Sequence, residues 1–273
     1  MSPFHSLLNI LTYDIDNSEF SSEPINLRIL SSLEGISQIS VESSLFLCGS
    51  SKLDNSHVPT SGAFLLQIAN QTLKKVQFLI NSKHSHYNPS LCNYANHSLV
   101  VIGGKQQTKC EVYNITSSRW KTIQDLPEER YLCSLMVDKN DEYLYLFGGF
   151  NRNVSMITGS VLRVNLTNYF TQWERIMINE NGQLLKRCSM NTFRSANSNL
   201  IYIIGGRDIH NEHEVYDDVI IYDCFCKIVK SSNMKLKKKT KFINYGSVDI
   251  HKVQYYFIDQ DGDVIIQHPC PQP

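Results

Sequence analysis

The sequence predicts an all-β fold in which one small antiparallel sheet is repeated along the chain, and three observations carry that prediction. Four runs of β-forming residues end on a pair of small residues: LFLCGS at Leu45–Ser50, LVVIGG at Leu99–Gly104, YLYLFGG at Tyr143–Gly149 and LIYIIGG at Leu200–Gly206. These runs recur evenly, with 54 residues from Gly49 to Gly103, 45 from Gly103 to Gly148 and 57 from Gly148 to Gly205. Tyr and Phe are plentiful, 14 and 12 in 273 residues, which suits sheets better than helices. A period of about 50 residues in a β-rich chain marks a propeller with one sheet per repeat.

Each unit reads as a strand, a polar stretch, a second strand ending on the small pair, a loop and a further strand pair. The chain opens on NILTYDIDNSEFSSEP, the second half of such a unit, with Tyr13-Asp14 in place. The unit around Gly49 continues as AFLLQIANQTLKKV and lacks aromatics. After Gly103-Gly104 comes CEVYNITSSRW, with Trp120 seven residues past Tyr113. After Gly148-Gly149 comes SVLRVNLTNYFTQW, with Trp173 nine past Val164. After Gly205-Gly206 comes DVIIYDCFCKIV, with Tyr222-Asp223 and no tryptophan. The chain closes on KFINYGSVDIHKVQYYFIDQDGDVIIQHP, a first half in which Asp259-Gln260 replaces the glycines. A second half at the start and a first half at the end combine into one sheet and remove exposed edges. The prediction is therefore a single domain over residues 1–273, in which N-terminal strands at about 8–28 complete a C-terminal blade at about 240–268. Five blades result, with six as the alternative.

A Gly-Gly pair, then Tyr with Asp or Asn, then Trp, resembles the kelch repeat. The match is good around Gly103, fair in the next two units and weak around Gly49. Glycines at the end of an inner strand let backbones approach closely, and the tyrosine and tryptophan fill the wider gap farther out. These residues are read as scaffold.

The glycines also serve as rulers. Eighteen residues before Gly148 lies Arg130, and eighteen before Gly205 lies Arg187. The same offset from Asp259, Gly49 and Gly103 gives Lys241, Ser31 and Ser85, the last flanked by His84 and His86. Equivalent positions in a propeller point to one face, so Ser31, Ser85, His86, Arg130, Arg187 and Lys241 form a candidate binding face near the channel mouth. Similarity to kelch propellers implies that basic and serine residues here contact an acidic peptide, since arginine forks suit carboxylates. On this reading, Ala at Arg130 and Arg187 abolishes binding and leaves thermal stability nearly unchanged.

Composition narrows the classes. Lys plus Arg and Asp plus Glu balance at 26 each, so no global field points to nucleic acid or a membrane surface. No apolar run reaches a membrane span, and the N-terminus lacks a basic region before an apolar stretch; the expectation is a soluble, cytoplasmic monomer. The eight cysteines form no CxxC pair and are expected to be buried thiols, with no metal and no cofactor. The acidic, histidine-bearing stretch Arg207–Asp218 and the lysine run Lys235–Lys241 read as solvated loops.

The expected function is non-enzymatic binding of a protein or peptide, as a substrate receptor or an antagonist of a ubiquitin-ligase adaptor. Only about 30 residues precede the first inner strand, so no ligase-recruiting domain is expected ahead of it. A cytoskeleton-binding scaffold is the first alternative. A kelch-fold enzyme such as a sugar mutarotase is the second, and would need a carboxylate facing Arg130 or Arg187. Glu128 and Glu129 read as rim residues.

Overall fold

The computed structural model describes residues 8–14, 19–25, 33–41, 44–51, 61–69, 72–95, 97–167, 172–195, 198–208, 215–235, 255–258 and 264–267. The fold is all-β. Strands β1 (Leu8–Asp14) and β2 (Glu19–Ile25) pair as an antiparallel hairpin. The first four-stranded sheet is β3 (Leu33–Val41), β4 (Ser44–Ser51), β5 (Ser61–Ala69) and β6 (Thr72–Phe78). The second is β7 (Ser90–Tyr94), β8 (Ser98–Ile102), β9 (Cys110–Asn114) and β10 (Arg119–Ile123). In the third, β11 (Ser134–Val137), β12 (Tyr143–Phe147), β15 (Val161–Asn165) and β16 (Trp173–Ile176) pair in order. A small hairpin, β13 (Phe150–Asn151) with β14 (Met156–Ile157), sits between its second and third strands. A 3-10 turn over Glu180–Leu185 leads to the fourth sheet: β17 (Asn191–Arg194), β18 (Leu200–Ile204), β19 (Asp218–Asp223) and β20 (Ile228–Lys235). A last hairpin joins β21 (Tyr255–Ile258) to β22 (Val264–Gln267).

Each four-stranded sheet is a meander of neighbouring antiparallel strands, and its second strand is the glycine-ended run. These second strands are apolar on both faces because both faces are covered: Leu99–Ile102 and Leu144–Phe147 are buried throughout. The terminal hairpins are each two-stranded, and no ladder between them is among the described pairings.

Successive sheets meet through their first strands: β7 lies against both β3 and β11, and β11 against β17. One hydrogen bond is repeated at each of these junctions. The hydroxyl of Ser37 donates to the Pro89 carbonyl, that of Ser90 to Cys133 (2.9 Å) and that of Ser134 to Met190. The three serines hold one register position, opposite Cys48, Ile102 and Phe147, the residues just before the glycines. Each serine thus takes the carbonyl that precedes its counterpart in the next sheet. Asn191 stands at the fourth such position, opposite Ile204.

Aromatic residues fill the space farther out. Tyr113 of β9 stacks on Phe46 of β4, and Tyr222 of β19 packs on Tyr145 of β12, with ring centroids 6.2 and 5.5 Å apart. Trp173 of β16 donates its indole N–H to the Gln124 carbonyl in the connector that leaves the second sheet (3.0 Å), and Trp120 does the same to Ile80 after the first. The seven cysteines among the described residues are free thiols, five of them buried, and burial pushes Cys48 and Cys133 up to about 12. Among the described residues no helix is long and apolar enough to cross a membrane.

Candidate functional site

The glycine pairs gather the polar residues that the sequence singles out. Gly103 and Gly148 have φ of 60° and 55°, a left-handed region that favours glycine. A Cβ on Gly103 would lie 2.6 Å from the Arg130 carbonyl, and one on Gly148 would strike that of Arg187. The glycines are required because the next sheet's basic residue lays its backbone over them. The second glycine of each pair completes the join: Gly104 N–H donates to Arg130 O (3.1 Å) and Gly149 N–H to Arg187 O (3.0 Å).

The side chains at these positions turn inward. Arg130 is fully buried; its Nη1 donates to the Gly148 carbonyl (3.4 Å) and the Ser160 carbonyl (3.2 Å). Its Nε and Nη2 both engage Glu128 Oε1, and Nη2 also reaches Ser160 Oγ. Arg187 is 3% exposed and donates from Nη1 to Gly205 O (3.1 Å) and Asp218 Oδ1 (2.6 Å), and from Nη2 to Asp218 Oδ2 (3.2 Å). Its guanidinium also lies 4.0 Å over the Tyr216 ring.

In the second sheet the equivalent residue is His86, one position nearer the glycine than the ruler predicts. Its Nδ1 donates to the Gly103 carbonyl (2.7 Å), and its Nε2 is hydrogen-bonded to Glu111 Oε2 (3.0 Å). Both side chains are fully buried. Glu111 also accepts the backbone N–H groups of Lys83 and His84. Burial disfavours its charge, but these hydrogen bonds outweigh that and hold the Glu111 carboxyl below its usual range. Ser85 is half-buried and outside this set; its backbone carbonyl accepts Gln107 Nε2 (3.2 Å). Ser31 and Lys241 lie outside the described residues.

Three of the six candidate residues therefore occupy equivalent places, each gripping the first glycine carbonyl of its own sheet. Their burial corrects two expectations. They do not offer free forks to a ligand, because a desolvated cation must be satisfied from within. Their removal also takes the donor from a buried glycine carbonyl and a partner from Glu128, Asp218 or Glu111, so a loss of stability is expected. Glu129, read as a rim residue, is 4% exposed and accepts the Gln106 N–H at 2.6 Å, because the loop after the glycines folds over it. Glu128 is likewise drawn inward by two arginines, Arg130 and Arg175. The partners Glu111, Asp218 and Ser160 carried no sequence signal, since each sits on a third strand or just before one, far along the chain from its base.

What the sheets do present at this end lies one step outward. The residue after each glycine pair bridges back to the residue after each basic anchor: Lys105 N–H donates to Tyr87 O (2.8 Å), Phe150 to Tyr131 (2.9 Å) and Arg207 to Cys188 (2.9 Å). Two residues past each anchor the backbone is again left-handed, at Asn88, Leu132 and Ser189, with φ of 51°, 56° and 54°. This turn aims the loops the same way. Lys105 and Arg152 are exposed on this rim, and Tyr87, Tyr131, Arg207 and Asp208 are half-buried there. Of the acidic loop 207–218, residues 209–214 lie outside the described residues, and no group of three or more metal-ligating side chains occurs among the described ones.

No protein-family model matches the chain, and no curated protein matches it significantly.

Proposed function

We propose that this chain is a non-enzymatic protein-interaction module, a kelch-like propeller of about five blades closed by its terminal strands, which takes an acidic segment of a partner at the glycine end of its sheets. One observation carries the reading: the same rim is built three times, each loop after a glycine pair being tied to the next residue past a buried anchor. A rigid ring of backbone with variable, exposed loops is a holder of partners. The side chains raised on it favour carboxylates. Lys105, Arg152 and Arg207 supply three positive charges against Asp208, while Tyr87 and Tyr131 offer flat contact area at small entropic cost.

Carboxylates do face both buried arginines, as mutarotase chemistry would need, but they are engaged in pairing. Burial works against ionisation of Glu128, yet Arg130 and Arg175 hold its carboxyl below the usual range, the wrong direction for a general acid near neutrality.

The test is affinity capture from native lysate with the wild-type chain and with Lys105→Glu/Arg152→Glu. Both positions are exposed, so the variant keeps its fold, which thermal melting checks. A set of proteins retained by the wild type and lost from the variant is expected. Their identity separates a ligase-adaptor role from a filament scaffold. Equal recovery by both forms overturns the rim.

A further inference from the structure

The outer corner of the third sheet, at the same end as its glycine pair, holds a groove of about 530 Å³ between the β13–β14 hairpin and the 3-10 turn. One wall is apolar and open. Val154, Met156 and Met177 are 59%, 55% and 85% exposed, three of the five large apolar side chains that stand exposed among the described residues. Apolar side chains scattered singly over a surface need no explanation, whereas three on one concavity indicate a partner. The floor is backbone: a Cβ on Gly159 would lie 2.7 Å from the Gly182 carbonyl.

The other end is polar and carries surplus positive charge. Arg175 is half-exposed; it donates to Ser160 Oγ (2.7 Å) and Glu128 Oε1 (3.0 Å), with Thr158 Oγ1 2.8 Å from the same hydroxyl. The exposed Lys186 runs its stem past Gly159. Arg175 and Lys186 line the groove beside Glu128 and Glu180, and Glu128 is already paired from beneath with the buried Arg130, so one cation is left over.

We propose that this groove docks a short linear segment of a partner protein, with apolar side chains laid against Val154, Met156 and Met177 and a neighbouring Asp or Glu meeting Arg175 and Lys186. Unbranched thioethers adapt to side chains of several shapes, and a guanidinium already oriented by Ser160 and Glu128 loses little freedom on accepting a carboxylate. The rim can fail as a binding surface without affecting this site, because the two share no side chain.

The experiment is panning of a random twelve-residue displayed peptide library on the full chain, followed by titration of the recovered peptides against Met177→Asp, Arg175→Ala and Lys105→Glu. The first two positions are exposed and half-exposed, and thermal melting confirms that each variant is folded. Recovered peptides are expected to carry apolar residues beside Asp or Glu and to bind Met177→Asp and Arg175→Ala at least tenfold more weakly, with Lys105→Glu unaffected. Recovery of no peptide, of peptides lacking that pattern, or of peptides indifferent to Met177→Asp and Arg175→Ala overturns the proposal. Peptides weakened only by Lys105→Glu overturn it as well, and assign the binding to the rim.

Discussion

In the third sheet Arg130 is closed in by Glu128 from the incoming connector and by Ser160 from the edge of the third strand. In the fourth, Asp218 holds the register position of Ser160 and takes the guanidinium of Arg187 in two hydrogen bonds, so no connector carboxylate is used. The outer corners differ in the same manner. Trp173 reaches out to the connector at Gln124, but Val229 fills the matching place on β20, and there the connector reaches in: Asn179 Nδ2 donates to Val229 O (3.1 Å) and Val229 N–H to Asn179 Oδ1 (2.9 Å). The backbone demands are the same in both sheets: a glycine carbonyl needs a cationic donor and a connector needs a tie. Which side chain meets them, and from which segment, is free to change.

If that is right, truncating the two anchors should have large but unequal effects. Arg130→Ala leaves two backbone acceptors, the Gly148 and Ser160 carbonyls, without their donor at about 1–3 kcal/mol each, while Glu128 keeps Arg175. Arg187→Ala is expected to cost less, about 1–3 kcal/mol, because it leaves a single backbone acceptor, the Gly205 carbonyl, and Asp218 can rehydrate. Lys at either site should recover little, since one ammonium cannot serve several acceptors in a plane. Urea denaturation of the four variants measures this. Equal losses, or none, would mean that the guanidinium contacts do not hold the glycine ends.

The repeat was legible because its causes are local. A second strand that ends where the next sheet crosses over it has to end on glycine, and the runs at Leu99–Gly104 and Tyr143–Gly149 show it. The ruler then placed Arg130 and Arg187 on matching sites and missed His86 by one residue, because the first strand of each sheet lies at its own distance from the glycines: Ser90 precedes Ile102 by 12 residues, Ser134 precedes Phe147 by 13. Whether those bases faced outward was not legible. That depends on Glu111, Glu128 and Asp218, and acidic residues near strand edges look the same in sequence whether they are solvated or paired. The groove at Met177 was hidden for a related reason. Its walls come from an inserted hairpin and a 3-10 turn that belong to no repeat.

The second sheet sharpens the comparison through pH. Its anchor pair joins Glu111 to an imidazole in place of a guanidinium. The Glu111 carboxyl is held below its usual range in the folded chain. Its contribution is therefore fully present above the unfolded value of about 4.3 and is lost as pH falls through the lower folded value. Glu111→Gln should destabilise the chain at pH 7, and the gap to wild type should narrow below about pH 4 as the wild-type carboxyl takes up its proton. Denaturant midpoints measured at pH 7, 5, 4 and 3 test this. A gap that stays constant over that range would show that Glu111 is not ionised in the folded chain.

The smallest effects are expected at the outer corners, where the two sheets solve one problem from opposite sides. Trp173→Phe keeps most of the ring's burial and removes only the donor to Gln124, a loss of about 1 kcal/mol. Asn179→Ala removes the acceptor of the Val229 N–H and one donor to its carbonyl, but Asn181 Nδ2 still reaches that carbonyl at 3.1 Å, so this loss too should be near 1 kcal/mol. Global stability alone barely separates the two variants. Location does: hydrogen exchange should speed up in the connector around Gln124 for the first and in the stretch around Asn179–Leu185 for the second, with little change in the other connector. Faster exchange in both connectors from either variant would mean that the corners are not independent ties, and that the sheets are held in register mainly by the serine-to-carbonyl contacts between their first strands.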